Sequence, residues 1–172
     1  MIFEGRIWKF GDNISTDLIM PGTEVLANPD LPEIEAARNY CMRANRPGWA
    51  LQVQRGDIIV AGRNFGCGSS RPAARMIKAL EISIILADSM SRLFFRNAVN
   101  IGLPVLICDG VSGFFEEGET ARIDLKSGVV NNVTKGTQLQ GEALPAGSPP
   151  AEILEAGGLK PFMEKELGRN AG

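Results

Sequence analysis

The chain has 172 residues, of which 44% are hydrophobic and 22% charged. That is enough for one domain, burying about two thirds of its unfolded surface with no metal or disulfide needed to hold it. Eighteen basic against twenty acidic residues leave a net charge of −2, which gives no electrostatic case for nucleic acid or an anionic membrane, and the absence of histidine excludes a Ser-His-Asp triad, a Cys-His dyad or a His-ligated metal within the chain.

Residues 2–10 alternate well enough for a strand. Gly11-Asp12-Asn13 breaks it, and residues 13–21 read as a polar loop holding Ser15, Thr16 and Asp17. Residues 32–43 are expected to be helical, with Ile34, Ala37 and Cys41 on one face, ending at Arg46-Pro47-Gly48. Residues 57–62 form a short apolar strand, followed by the glycine-rich loop of residues 63–71. In residues 72–81, Ala73, Met76, Ile77 and Leu80 recur at helical spacing, and Pro72 suits the first turn. A second strand is expected at residues 82–87, a helix at 91–100 and a third strand at 104–108. Strand, helix, strand, helix, strand is a parallel α/β layout with right-handed crossovers.

After Asp109 the pattern changes. Residues 119–125, 128–134 and 137–143 read as a smaller antiparallel β section with glycine turns. Residues 145–150 form a loop, residues 150–156 a short helix and residues 161–167 another, with residues 168–172 frayed. The whole is expected to be a single domain. The N-terminal segment carries Glu4, Arg6 and Lys9, unlike a signal sequence, and no apolar run reaches membrane-span length. Cys41, Cys67 and Cys108 are odd in number and widely spaced, so neither a disulfide framework nor a self-contained metal site is expected, and a cytoplasmic location fits.

Gly66-Cys67-Gly68-Ser69-Ser70-Arg71 is the strongest local signal for chemistry. Glycines let a ligand approach the backbone, a helix start behind the loop supplies N–H donors, and a guanidinium grips a carboxylate or phosphate with two parallel bonds. The loop therefore reads as an anion site with a hydroxyl beside the anion; the plainer alternative is a tight turn whose serines cap the helix. The P-loop pattern fails because no lysine follows Gly68. A dinucleotide loop stays open as an alternative, with Gly66 and Gly68 on the phosphates and Asp88 on a ribose, although Arg71 stands where its third glycine belongs. Cys67 reads either as a thiol at a helix start or as a small residue in a tight loop.

Three ordered segments carry a family resemblance. Asp12-Asn13-Ile14-Ser15-Thr16-Asp17-Leu18-Ile19-Met20-Pro21 resembles a D-x-I-x-T-D-x-I-x-P segment, and Asn64-Phe65-Gly66-Cys67-Gly68-Ser69-Ser70-Arg71 an N-F-G-C-G-S-S-R segment. Both are found in small subunits of 3-isopropylmalate dehydratase, in the aconitase superfamily; the stretch from Ser91 to Pro104 is similar to that family too. The resemblance implies an aconitase-type swivelling β/β/α domain that closes over a separate large subunit carrying a [4Fe–4S] cluster, with no metal ligand in this chain. It implies a hydro-lyase of leucine biosynthesis that isomerises 2- and 3-isopropylmalate by dehydration and rehydration. By position, Ser69 would act as an alkoxide base and Asp17 as the active-site aspartate. Arg71 would bind a substrate carboxylate, helped by Ser70, Gly68, Cys67 and Thr16. Leu26 would face the variable substituent, favouring an alkyl group over a third carboxylate.

One departure stands out. The family continues S-S-R with Glu-His, whereas Pro72-Ala73-Ala74 follows Arg71 here. This keeps two alternatives in view: a small subunit for another alkylmalate such as dimethylmalate, and a non-catalytic carboxylate-binding subunit.

Overall fold

The computed structural model describes residues 1–25, 36–69 and 71–170. Its centre is one seven-stranded sheet in the order β4-β3-β2-β1-β5-β6-β7. The parallel half comprises β1 (Ile2–Lys9), β2 (Ile58–Ala61), β3 (Ile84–Ala87) and β4 (Val105–Ile107). All residues of β2 and β3 are buried. Their unbroken apolar sequences, Ile-Ile-Val-Ala and Ile-Ile-Leu-Ala, are what a parallel strand covered on both faces requires.

Helices α3 (Ala73–Ala79) and α4 (Arg92–Asn100) make the crossovers and pack on each other. Strands taken in one direction with right-handed crossovers place both helices on the same face of the sheet. Helix α5 (Val111–Phe114) lies against β2 and β3. The antiparallel half consists of β5 (Thr120–Asp124), β6 (Val129–Asn132) and β7 (Thr137–Gln140). This half is not a separate sheet. It continues the parallel half through β1, which pairs parallel with β2 on one edge and antiparallel with β5 on the other.

Several local expectations are corrected. The polar loop at 13–21 contains a one-turn helix, α1 (Thr16–Ile19), with the Ser15 hydroxyl accepting from the Leu18 N–H at 3.2 Å. A second turn, α2 (Gly22–Val25), follows. The helix expected at 32–43 is a 3₁₀ segment, Ala36–Tyr40, and its first four residues lie outside the described ones. Another 3₁₀ turn spans Trp49–Leu51. Near the end, α6 (Pro149–Glu155) is followed by α7 (Leu159–Asn170), which runs past Gly168. No helix among the described residues is long and apolar enough to cross a membrane.

Buried polar groups are tied into the core. Asp57 accepts from Arg6 Nη2 and Trp8 Nε1, both at 2.7 Å, and from the Gln54 N–H at 2.9 Å. Near the surface, Arg46 clasps Glu117 with two bonds, Nη1 to Oε2 at 2.6 Å and Nη2 to Oε1 at 2.5 Å. The Arg46 clasp, helped by the Lys9 N–H, holds the Glu117 carboxyl below its ordinary range against the opposing effect of partial burial. A carboxyl depressed on folding adds stability above its unfolded pKa of about 4.3, and the gain is lost as pH falls through the lower folded value. Glu117→Gln is therefore expected to flatten the fall in melting temperature below about pH 5 relative to the wild type. Parallel melting curves across that range check it.

Candidate functional site

The site grows from loops leaving the carboxyl ends of parallel strands, where open α/β sheets hold their ligands. The loops after β1 and β2 run side by side. Asn13 N–H donates to the Arg63 carbonyl, Gly66 N–H to that of Ile14 and Thr16 N–H to that of Cys67, each at 2.8 Å. Ser15 and Cys67 form an isolated parallel bridge. Asn13 and Asn64 both adopt positive φ, 55° and 59°, which asparagine tolerates better than most residues. Their side chains are joined at 3.0 Å. Gly62 leaves room for the Asp12 carboxylate, whose Oδ1 accepts from the Arg63 N–H at 2.7 Å.

The third segment braces this pair from β3 and α4. Phe65 N–H donates to the Ser89 carbonyl at 3.1 Å, and Ser91 N–H to the Phe65 carbonyl at 2.8 Å. The Phe94 ring meets Phe65 edge-on at 5.2 Å. It also fills the space where a side chain at Gly66 would project, and Gly66 has φ 73°. Any larger residue there would have both the wrong backbone angle and no room.

Four polar side chains from the two loops then converge. Thr16, only 2% exposed, donates its hydroxyl proton to the Ser69 carbonyl at 3.0 Å, and its Oγ1 lies 3.3 Å from Ser69 Oγ. Ser69 itself faces solvent. Arg71 Nε contacts Asp17 Oδ1 at 2.7 Å, and Nη1 reaches the Met20 carbonyl at 3.4 Å. The guanidinium lies against the backbone of Gly22, where a Cβ would overlap Nη1. Cys67 and Gly68 form the floor of the turn, Gly68 with φ 100°. The structure thus brings Thr16, Asp17, Cys67, Gly68, Ser69 and Arg71 into one patch. Ser70 and Leu26 lie outside the described residues. The sequence alone does not single out Met20, Gly22 or Phe94 as supports of the patch: Met20 and Phe94 lie within segments that carry the family resemblance, and Pro21-Gly22 reads equally as a turn.

Chemically, the patch offers an exposed hydroxyl beside a guanidinium held at two points, an arrangement suited to a carboxylate with a reacting C–H next to it. The helix start contributes less than the sequence suggests. Pro72 is the N-cap, the Ala73 N–H is taken by the Arg71 carbonyl at 2.8 Å, and the Arg75 N–H by the Pro72 carbonyl at 3.0 Å. Ala73 and Ala74 are buried, so this stretch supports the loop through apolar packing. Asp88 is committed elsewhere. Its carboxylate accepts from the Ser112 N–H at 3.0 Å and from the Ser112 hydroxyl at 2.5 Å, which removes the acid that a dinucleotide's ribose would need.

The cysteines sit apart. Cys41 and Cys108 are buried, and Cys67 is half-buried in the loop. Burial pushes the Cys41 thiol far up, and burial with nearby Asp88, Asp109 and Glu142 pushes Cys108 up to about 11. Since the thiolate is the reactive form, iodoacetamide at about pH 8 is expected to label Cys67 well before the other two. Peptide mass mapping over time checks this, and equal labelling of Cys108 would contradict it. Among the described residues no group of three His, Cys, Asp or Glu side chains could hold a metal ion.

Comparison with known proteins gives a consistent picture. The model of the Aconitase C-terminal domain family matches residues 30–109. The chain is 41% identical over 167 residues to the isopropylmalate/citramalate isomerase small subunit of Methanocaldococcus jannaschii, covering 96% of each. It is 40% identical over 172 residues to the 3-isopropylmalate dehydratase small subunit of Caldicellulosiruptor bescii, covering 99% of this chain and 100% of the other. A crystal structure of 3-isopropylmalate dehydratase from M. jannaschii superposes with a TM-score of 0.90 at 35% identity, over the full length of both chains.

Proposed function

The chain belongs to the family of 3-isopropylmalate dehydratase small subunits, and on that footing we propose that it is the small subunit of a cytoplasmic, two-subunit hydro-lyase. The enzyme isomerises 2- and 3-isopropylmalate by removing and re-adding water, a step of leucine biosynthesis. Residues 1–172 act as a single swivelling domain. The observation that carries this reading is the meeting of Thr16 and Asp17 with Ser69 and Arg71, from loops some fifty residues apart, at the carboxyl ends of β1 and β2.

In this reading Arg71 grips one substrate carboxylate, and the Asp17 carboxylate keeps the guanidinium turned towards the patch. Ser69, as alkoxide, takes the proton from the carbon next to the one bearing the hydroxyl. The C–H electron pair would become the carbon–carbon double bond as the C–O bond breaks, and the departing hydroxide would take a proton from a donor in the large subunit to leave as water. Rehydration in the opposite sense completes the isomerisation. A serine oxygen is a poor base in water, so the exposed patch has to be covered by the large subunit before reaction.

Assisting the departing hydroxyl falls to that large subunit, expected to be an iron–sulfur protein. The residues of this chain do not fit a cluster: Cys41, Cys67 and Cys108 stand on separate elements, two of them buried with strongly raised thiol pKa values. Binding and proton transfer are this chain's own share.

The test is anaerobic purification of the tagged chain from its native cells, with the eluate assayed on 2- and 3-isopropylmalate and on dimethylmalate. Co-purification of a large subunit with turnover of isopropylmalate supports the reading. Turnover of dimethylmalate alone would move the substrate to another alkylmalate. A partner with no turnover on any of them would favour a non-catalytic carboxylate-binding subunit.

A further inference from the structure

We propose that Thr16 is the positioning residue for Ser69, its hydroxyl orienting the serine oxygen in the resting site and stabilising it once the serine has lost its proton. The inference rests on the reading of Ser69 as the proton acceptor. It assigns Thr16 a role through Ser69 in place of a contact with substrate.

The argument begins with hydrogen-bond capacity. A threonine hydroxyl has one proton and two lone pairs. Here the proton goes to the Ser69 carbonyl at 3.0 Å. The remaining contact, Thr16 Oγ1 to Ser69 Oγ at 3.3 Å, therefore has Ser69 donating and Thr16 accepting. Because Thr16 is 2% exposed and Ser69 faces solvent, the serine proton is drawn inward and its lone pairs are left on the open side. That is the side from which a substrate C–H must arrive.

The same geometry serves the deprotonated state. When Ser69 gives up its proton to water in the open site, its oxygen becomes a charged acceptor. The Thr16 O–H then turns from the Ser69 carbonyl to Ser69 Oγ by rotation about its C–O bond. The bond becomes charge-assisted, hence shorter and stronger than the neutral one. A hydrogen bond to the charged form lowers the pKa of the group that carries it. Thr16 can do this because it is itself fixed. Its N–H is held by the Cys67 carbonyl at 2.8 Å, and its carbonyl accepts from the Met20 N–H at 2.9 Å. Helix α1 and the glycine turn are thereby pinned on either side of one hydroxyl.

The experiment compares Thr16→Val, Thr16→Ser and Ser69→Ala in the enzyme co-purified with its large subunit, with kcat and KM for 3-isopropylmalate measured from about pH 6 to pH 10. Removing one preorganised donor from a developing oxyanion costs on the order of 10²-fold in rate. Thr16→Val is thus expected to lose about 10–10²-fold in kcat, with KM within about threefold and the rise of kcat with pH moved up by about one unit. Thr16→Ser is expected to recover most of the rate and the wild-type pH profile. A purely structural Thr16 would lower the yield or raise KM and leave the pH profile in place; that result overturns the proposal. So does wild-type behaviour of Thr16→Val while Ser69→Ala is inactive. If Ser69→Ala turns over normally, the underlying reading of Ser69 falls instead. Should Thr16→Val fail to co-purify, Thr16→Cys, of similar size but a weak donor, is read in the same way.

Discussion

Ser69→Ala in the assembled enzyme is expected to lower kcat by about 10²–10⁴-fold, the range that a positioned proton acceptor contributes. KM should stay close to the wild-type value, because in the proposed reading the carboxylate grip belongs to Arg71 and not to the serine. The structural risk is small. Ser69 faces solvent, and its carbonyl bond to Thr16 belongs to the backbone and survives the change. A drop of less than about tenfold in kcat would remove Ser69 from the proton-transfer step, since so small an effect is within reach of a lost positioning contact. A large drop with a proportionate rise in KM would instead point to a substrate-binding role.

Arg71→Lys is expected to cut kcat/KM by about 10–10²-fold and Arg71→Ala by about 10²–10³-fold, in both cases chiefly through KM. Lysine keeps the charge but not the planar fork. Arg71 holds Asp17 through Nε and the Met20 carbonyl through Nη1 beside Gly22, and an ammonium on a flexible stem cannot satisfy those partners and a substrate carboxylate together. Alanine goes further, since it leaves Asp17 unpaired beside an incoming anion and so adds repulsion to the lost attraction. Steady-state kinetics on 3-isopropylmalate across the two variants checks the order. Equal KM values for wild type, lysine and alanine would mean that Arg71 does not bind the substrate.

The parallel half of the fold was legible because its strands are short, wholly apolar runs bounded by glycine, proline or aspartate, and its helices carry a clear apolar face. The continuity of the sheet was not. Nothing in the composition of β1 says that one edge takes β2 in parallel and the other β5 in antiparallel, because the two edges of a strand are backbone. Helix α1 was missed since four residues give periodicity no room, and its cap is a single serine in a stretch that reads equally as a turn. At the proposed site, Ser69, Arg71 and Asp17 stand out from motif positions alone. Their partners do not: Thr16 and Ser69 are 53 residues apart, and only the fold shows that they share a hydrogen bond. The sequence of Phe94 and its neighbours does not show that its ring fills the space beside Gly66.

The place of β1 at the seam of the sheet bears on the order in which the molecule can assemble. During synthesis β1 emerges before either of its neighbours: one edge waits for Ile58–Ala61 and the other for Thr120–Asp124. Pairings this distant along the chain carry a loop-closure cost before they are rewarded, and they slow folding. The loop that brings Thr16 and Asp17 to the patch hangs from that strand. The patch therefore gains its full support late, since a nascent chain that stops short of Thr120 lacks the strand on the outer edge of β1.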